Sequence, residues 1–164
     1  MRFAPALLAL ALLVFPAAAQ AAAVVTSAPA SGYDSNEFRS RAEREATFRE
    51  LERDLRRRLD RRLPPGRDVR VTLLDVRPAG RFEPWRSGFE DVRVLRDVTP
   101  PRVTLRYEAR ERGRVVAAGD ETVTDLNYLS NPSSRLSSDR LAHEKALLAD
   151  WADARLIRLR PQRR

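Results

Sequence analysis

One histidine and no cysteine in a chain of 164 residues close off most of the chemistry that side chains perform. Without cysteine there is no thiol nucleophile, no disulfide and no thiolate ligand for zinc or an iron–sulfur cluster. His143 stands in the run His143-Glu144-Lys145-Ala146-Leu147. A zinc-protease helix needs a second histidine four residues on, and Leu147 holds that place. A Ser-His-Asp triad would also have to use His143, and the nearby Ser133, Ser134, Ser137 and Ser138 read as loop and capping residues. No Gly-rich phosphate loop and no Gly-x-Ser-x-Gly elbow is present. The expectation is no metal, no cofactor and no catalytic residue, with His143 a partly exposed helix histidine.

Carboxylates are the remaining route to catalysis. Glu83, Glu90, Asp91, Asp97, Asp120, Glu121 and Asp125 are numerous enough for two to meet in a cleft as a glycosidase pair. Their spacing selects no two of them. Glu144 is more informative, because it falls between Leu141, Leu148 and Trp151 on an apolar stripe. A half-buried carboxylate there needs a cation or a hydrogen-bond donor, and Arg106 or a loop arginine is the expected partner.

The segment best suited to contact another molecule is Pro78–Asp91. It places Phe82, Trp85 and Phe89 at intervals of three and four, interleaved with Arg81, Glu83 and Arg86. Long loops in compact domains are often binding elements, and aromatic rings beside arginines suit flat or sugar-like ligands. Arg81, Phe82, Trp85 and Arg86 are therefore the candidate binding residues. Two readings stay open: the aromatics form a contact surface, or they plug one end of the core and anchor the loop.

The elements that would position these residues follow from periodicity. Val24-Val25-Thr26 suits a short first strand. Asn36 offers an N-cap, and a helix over Glu37–Leu63 carries Phe48, Leu51, Leu55 and Leu59 on one stripe. Pro64-Pro65-Gly66 stops it. Val69, Val71 and Leu73 alternate, and the parity then changes at Leu74 and Val76, which predicts a bulge or a strand buried on both faces. Val103, Leu105, Tyr107 and Ala109 alternate with charged residues. A turn at Glu111-Arg112-Gly113, longer than two residues, leads into Arg114–Thr124. A short strand fits Asp91–Arg96. Ser138 and Asp139 open a second helix running to about Leu156. The fold class is α+β: a mostly antiparallel twisted sheet of about four strands with two main helices on one face.

The amino terminus reads as an export signal. Arg2 precedes an apolar run from Phe3 to Phe15, Pro16 ends it, and small residues follow at Ala17–Ala19 and Ala21–Ala23. A membrane span needs about 18–20 apolar residues, and Pro16 and Gln20 close this run too early. The expected organisation is a cleaved signal over 1–22, one domain over 23–157 and a basic tail over 158–164, placing a soluble protein in the periplasm. The formal charge is +8, but 23 acidic residues are interspersed among arginines and the single Lys145. That mixture is a solvated surface with a mild preference for anionic partners. Nucleic acid is not an expected partner.

Several strings taken together carry a resemblance. They are Ala79-Gly80-Arg81-Phe82-Glu83-Pro84-Trp85, Asp91-Val92-Arg93-Val94-Leu95-Arg96-Asp97-Val98-Thr99-Pro100-Pro101, Asn127-Tyr128-Leu129 and Glu144-Lys145-Ala146-Leu147. With the signal they resemble a family of small exported proteobacterial proteins known as a domain of unknown function, numbered 3016. The resemblance runs from about Val24 to Trp151 and brings no activity, cofactor or catalytic residue with it. The expected function is a non-catalytic envelope binding or assembly module. Its partner would be an envelope protein or an anionic envelope component. The alternative is a carboxylate-dependent hydrolase such as a glycosidase.

Overall fold

The computed structural model describes residues 21–29, 37–83, 85 and 92–159. Strand β1 (Ala22–Ser27) is followed by helix α1 (Arg41–Arg62) and strand β2 (Arg67–Arg77). A small ribbon of β3 (Arg81–Phe82) and β4 (Arg93–Val94) precedes the long strands β5 (Arg102–Glu111) and β6 (Arg114–Thr124). The short helix α2 (Pro132–Arg135) and helix α3 (Ala142–Ala152) close the chain, and a π-helical turn at Asp153–Ile157 extends α3.

The four-stranded sheet has the order β1-β2-β5-β6. β2, β5 and β6 pair antiparallel, as expected, but β1 runs parallel to β2. The sheet is therefore mixed. The reason is α1, which carries the chain from one end of β1 back to the start of β2 as a crossover; a parallel pair requires such a connection.

Helix α1 starts later than the sequence predicts. Ser40 is the N-cap: its Oγ accepts from the Glu43 backbone N–H at 3.1 Å, and Glu43 Oε2 accepts from the Arg39 N–H at 2.8 Å. Two orphan donors are satisfied reciprocally, so the helix begins where the two side chains can close this box. Asn36, the expected cap, lies outside the described residues.

The parity change in β2 is a bulge, with a register shift between Leu73 and Asp75. It lets Val69, Val71, Leu73 and Val76 all face the helices. Across the ladder they meet Ala109, Tyr107, Leu105 and Val103. Phe48, Leu51, Leu55 and Leu59 from α1 and Leu148 and Trp151 from α3 complete one core cluster. Tyr107 and Trp151 meet edge to face with centroids 5.5 Å apart, and both donate to the Glu121 carboxylate.

The β5–β6 turn is shorter than expected. Glu111 pairs with Arg114, leaving a loop of Arg112 and Gly113 alone. Both have positive φ, 49° and 79°, the backbone that matches the twist of a tight hairpin. The charge on Glu111 reads as a turn residue, yet the side chain only extends the ladder.

Helix α3 also begins later than Ser138. Asp139 Oδ1 accepts from the Leu141 N–H at 2.9 Å, which holds the chain in a turn until Ala142. At the far end the regular helix stops at Ala152, and the π-turn carries the helical path past Leu156. Buried Arg67 donates to the carbonyls of Leu156, Ile157 and Leu159, so the exposed end of that turn is capped by a guanidinium from β2. Asp153, beside it, takes hydrogen bonds from Arg58 and Arg62. Among the described residues no helix is long and apolar enough to cross a membrane.

Candidate functional site

Among the described residues between β2 and β5, Arg81–Phe82 and Arg93–Val94 form the small ribbon. Gly80 makes this possible: its φ is +75°, and a Cβ there would come within 2.5 Å of the Val94 carbonyl oxygen. The ribbon pairs Arg81 with Val94 and Phe82 with Arg93. Arg93 then reaches back to donate to the Gly80 and Glu37 carbonyls, tying the ribbon to the approach of α1. Tyr128 donates to the Arg96 carbonyl at 2.6 Å and fixes the other side.

The predicted binding residues separate here. Phe82 is buried, at 6% exposure, with Arg93 over its ring at 4.4 Å and Arg39 at 5.4 Å. It is an anchor. Trp85, three residues further on, is 73% exposed. Arg81 is exposed on β3. Arg86 and Phe89 lie outside the described residues. Phe82 is thus packed into the fold, while Trp85 is open to solvent.

Beside the ribbon lies a groove of about 360 Å³. One wall is the start of α1, with Arg39, Glu43 and Thr47; another is Ala79, Phe82, Arg93 and Leu95; the third is the lead into α3, with Arg140 and His143. Arg140 is committed to Thr47 and Glu50, and Lys145 to Glu50 and Asp139. Those bonds rigidify the rim. His143 packs edge to face on Tyr128, with ring centroids 4.9 Å apart, and burial lowers its proton affinity. Ser134 donates to the Asn131 carbonyl and Ser137 accepts from Asp139, and among the described residues no serine hydroxyl bonds His143. The groove presents side chains suited to holding a molecule, and among the described residues His143 Nδ1 has no hydrogen-bond partner.

Among the described residues, the carboxylates proposed for a hydrolytic pair have separate partners. Glu83 is held in a fork by Arg96 at 3.0 and 3.1 Å. Asp97 caps the Val98 N–H, Asp125 binds Asn127 and Asn131, and Asp120 pairs with Arg106 on the open face of the sheet. Glu90 and Asp91 lie outside the described residues.

Glu144 corrects the sequence expectation. It is not half-buried but 1% exposed, and Arg106 is across the sheet from it. Its Oε1 accepts from the Ala79 N–H at 2.6 Å, while Oε2 has no partner. Burial pushes this carboxyl above the usual range; the Ala79 bond and the positive Arg93 and Arg140 pull it back only in part. A carboxyl raised in this way keeps its proton longer in the folded chain than in the unfolded one. Its share of stability is complete below the unfolded value near 4.5 and is lost as pH rises through the folded value. Glu144→Gln keeps an oxygen for Ala79 and cannot ionise. We expect its stability relative to wild type to improve steadily from pH 4.5 to pH 8 in chemical denaturation. A difference independent of pH would contradict the assignment.

Sequence reading missed Arg39 and Arg93 as the clamp on Phe82, and Glu144 as the acceptor for Ala79. These contacts join residues 11 to 65 apart in the chain, and no local pattern marks them.

The sequence model of a family described as "Protein of unknown function (DUF3016)" matches residues 27–154. The chain belongs to that family. The match takes in α1, the whole sheet beyond β1, the ribbon and α3, so the clamp, groove and Trp85 all lie in the DUF3016 region. No curated protein matches the chain in sequence. Among solved structures it is similar to a PelC dodecamer from Paraburkholderia phytofirmans, at 16% identity over 88% of this chain and 93% of that one. The TM-score is 0.38, too low for anything further about this DUF3016 chain to rest on it.

Proposed function

We propose that this DUF3016 protein is a non-catalytic binding or assembly module of the cell envelope, with its contact surface centred on Trp85. The observation that carries the reading is the pairing of an exposed tryptophan with a clamped phenylalanine three residues before it. Trp is among the residues that dominate interface energy, and a rigid mount lowers the entropy lost on binding. Arg81, exposed on β3 four residues before Trp85, supplies a charge near it in the chain.

A crosslinking pull-down from the envelope fraction tests this. Wild-type bait should recover a reproducible partner, and Trp85→Ala should lose it. Bait that recovers nothing reproducible would contradict the proposal.

Export supports the compartment. The apolar run before Pro16 has the make-up of a secretory signal, and β1 begins only at Ala22, whose N–H donates to Asp68 Oδ1 at 3.2 Å. The expected signal over 1–22 ends at the first residue of that strand. Intact mass of the protein from a periplasmic fraction should show residues before about Ala22 removed. A mass retaining Met1–Ala19 would rule out a cleaved signal.

A further inference from the structure

The end of β2, the start of β3 and the start of β5 bring three arginines to one small cleft. Arg77 and Arg102 stand directly opposite each other in the β2–β5 ladder. Arg81 joins them from β3, and with Glu37, Val98 and Thr99 they line a space of about 100 Å³. Like charges placed opposite one another across a ladder destabilise it. Among the described residues, only one of the three has a counter-ion: Arg77 Nε lies 3.4 Å from Glu37 and 3.5 Å from Asp75. Arg81 and Arg102 have no counter-ion among the described residues.

Backbone groups at the rim are already used. The Gly80 N–H donates to the Thr99 carbonyl at 3.0 Å, and the Thr99 N–H to the Arg96 carbonyl at 2.9 Å. Glu37 also lines the cleft, with its carboxylate 3.4 Å from Arg77 Nε, and the guanidinium groups of Arg77, Arg81 and Arg102 supply N–H groups, which only donate. Its occupant must be negative and rich in acceptors. A carboxylate has two oxygens and is satisfied by a single arginine fork. A phosphate group offers three or four oxygens and up to two negative charges, matching the two arginines that have no counter-ion among the described residues.

We infer that the cleft between Arg77, Arg81 and Arg102 binds a phosphate group, either free or carried as a monoester on a larger molecule. The site is open to water, so affinity is modest and falls with salt. It does not depend on the Trp85 contact, although Arg81 borders both.

Calorimetric titration at constant ionic strength and pH 7.5 tests it, using inorganic phosphate, acetate and glycerol 1-phosphate as probes. Phosphate should bind with a Kd on the order of 1 mM, and acetate at least about tenfold more weakly. Arg81→Gln and Arg102→Gln should each weaken phosphate about tenfold, while Arg106→Gln on the open sheet face should not. Arg102→Gln also removes a like-charge pair, so it should fold at least as stably as wild type. Tighter binding of the monoester would mark the group as part of a larger ligand; equal binding would mark the free anion. Phosphate binding no tighter than acetate, or unchanged in both cleft variants, would overturn the inference. Trp85→Ala should leave phosphate affinity unchanged, so this site and the contact surface can fail separately.

Discussion

Leu55→Ala should lower the stability of the protein by about 2–5 kcal/mol, read from denaturant midpoints at constant slope. Leu55 is 1% exposed and sits mid-stripe on α1, with Leu51 and Leu59 a turn to either side. The helix it belongs to is poor in apolar residues elsewhere. Its exposed faces carry pairs such as Arg49–Glu45 and Arg57–Asp54, each open to water and each contributing a few tenths of a kcal/mol at most. What holds α1 is the stripe against the sheet, where Val71, Leu73 and Leu105 are wholly buried. A change within experimental error would mean that the stripe does not carry the fold.

Phe82→Ala is the second large effect, about 3–5 kcal/mol. The ring is buried with two guanidinium groups within 5.4 Å of its centroid, and cation–π contacts add to the apolar area lost, about 0.5–2 kcal/mol each. Removing it also frees Arg93, whose bonds to Gly80 and Glu37 hold the ribbon against α1. The variant should therefore lose ribbon protection in hydrogen exchange before the sheet opens. A loss below about 1 kcal/mol would show that the ribbon is held by its backbone alone.

The sheet and its two helices were legible because their signals are local. Leucines a turn apart on α1 and strict alternation through β5 each declare a buried face, and the parity break at Leu74 declares a bulge. The parallel pairing of β1 was not legible, because six residues of small and β-branched type carry no mark of direction. Nor was the two-residue turn, since Glu111 is polar whether it turns or pairs. At the site, the sequence marked Phe82 and Trp85 as a group but could not separate them. The separation depends on Arg39 and Arg93, which reach Phe82 from α1's approach and from β4. Glu144 was readable as a carboxylate in an apolar stripe, but its partner is a backbone N–H, which every residue but proline has.

The central claim is that Phe82 anchors the ribbon so that Trp85 is free to make contact. Thermal unfolding of Trp85→Ala beside Phe82→Ala tests it most directly. Exposed substitutions cost within about 0.5 kcal/mol, so Trp85→Ala should melt within roughly 2–3 °C of wild type while Phe82→Ala falls far below it. A Trp85→Ala protein that melts as low as Phe82→Ala would make Trp85 a second anchor and contradict the account.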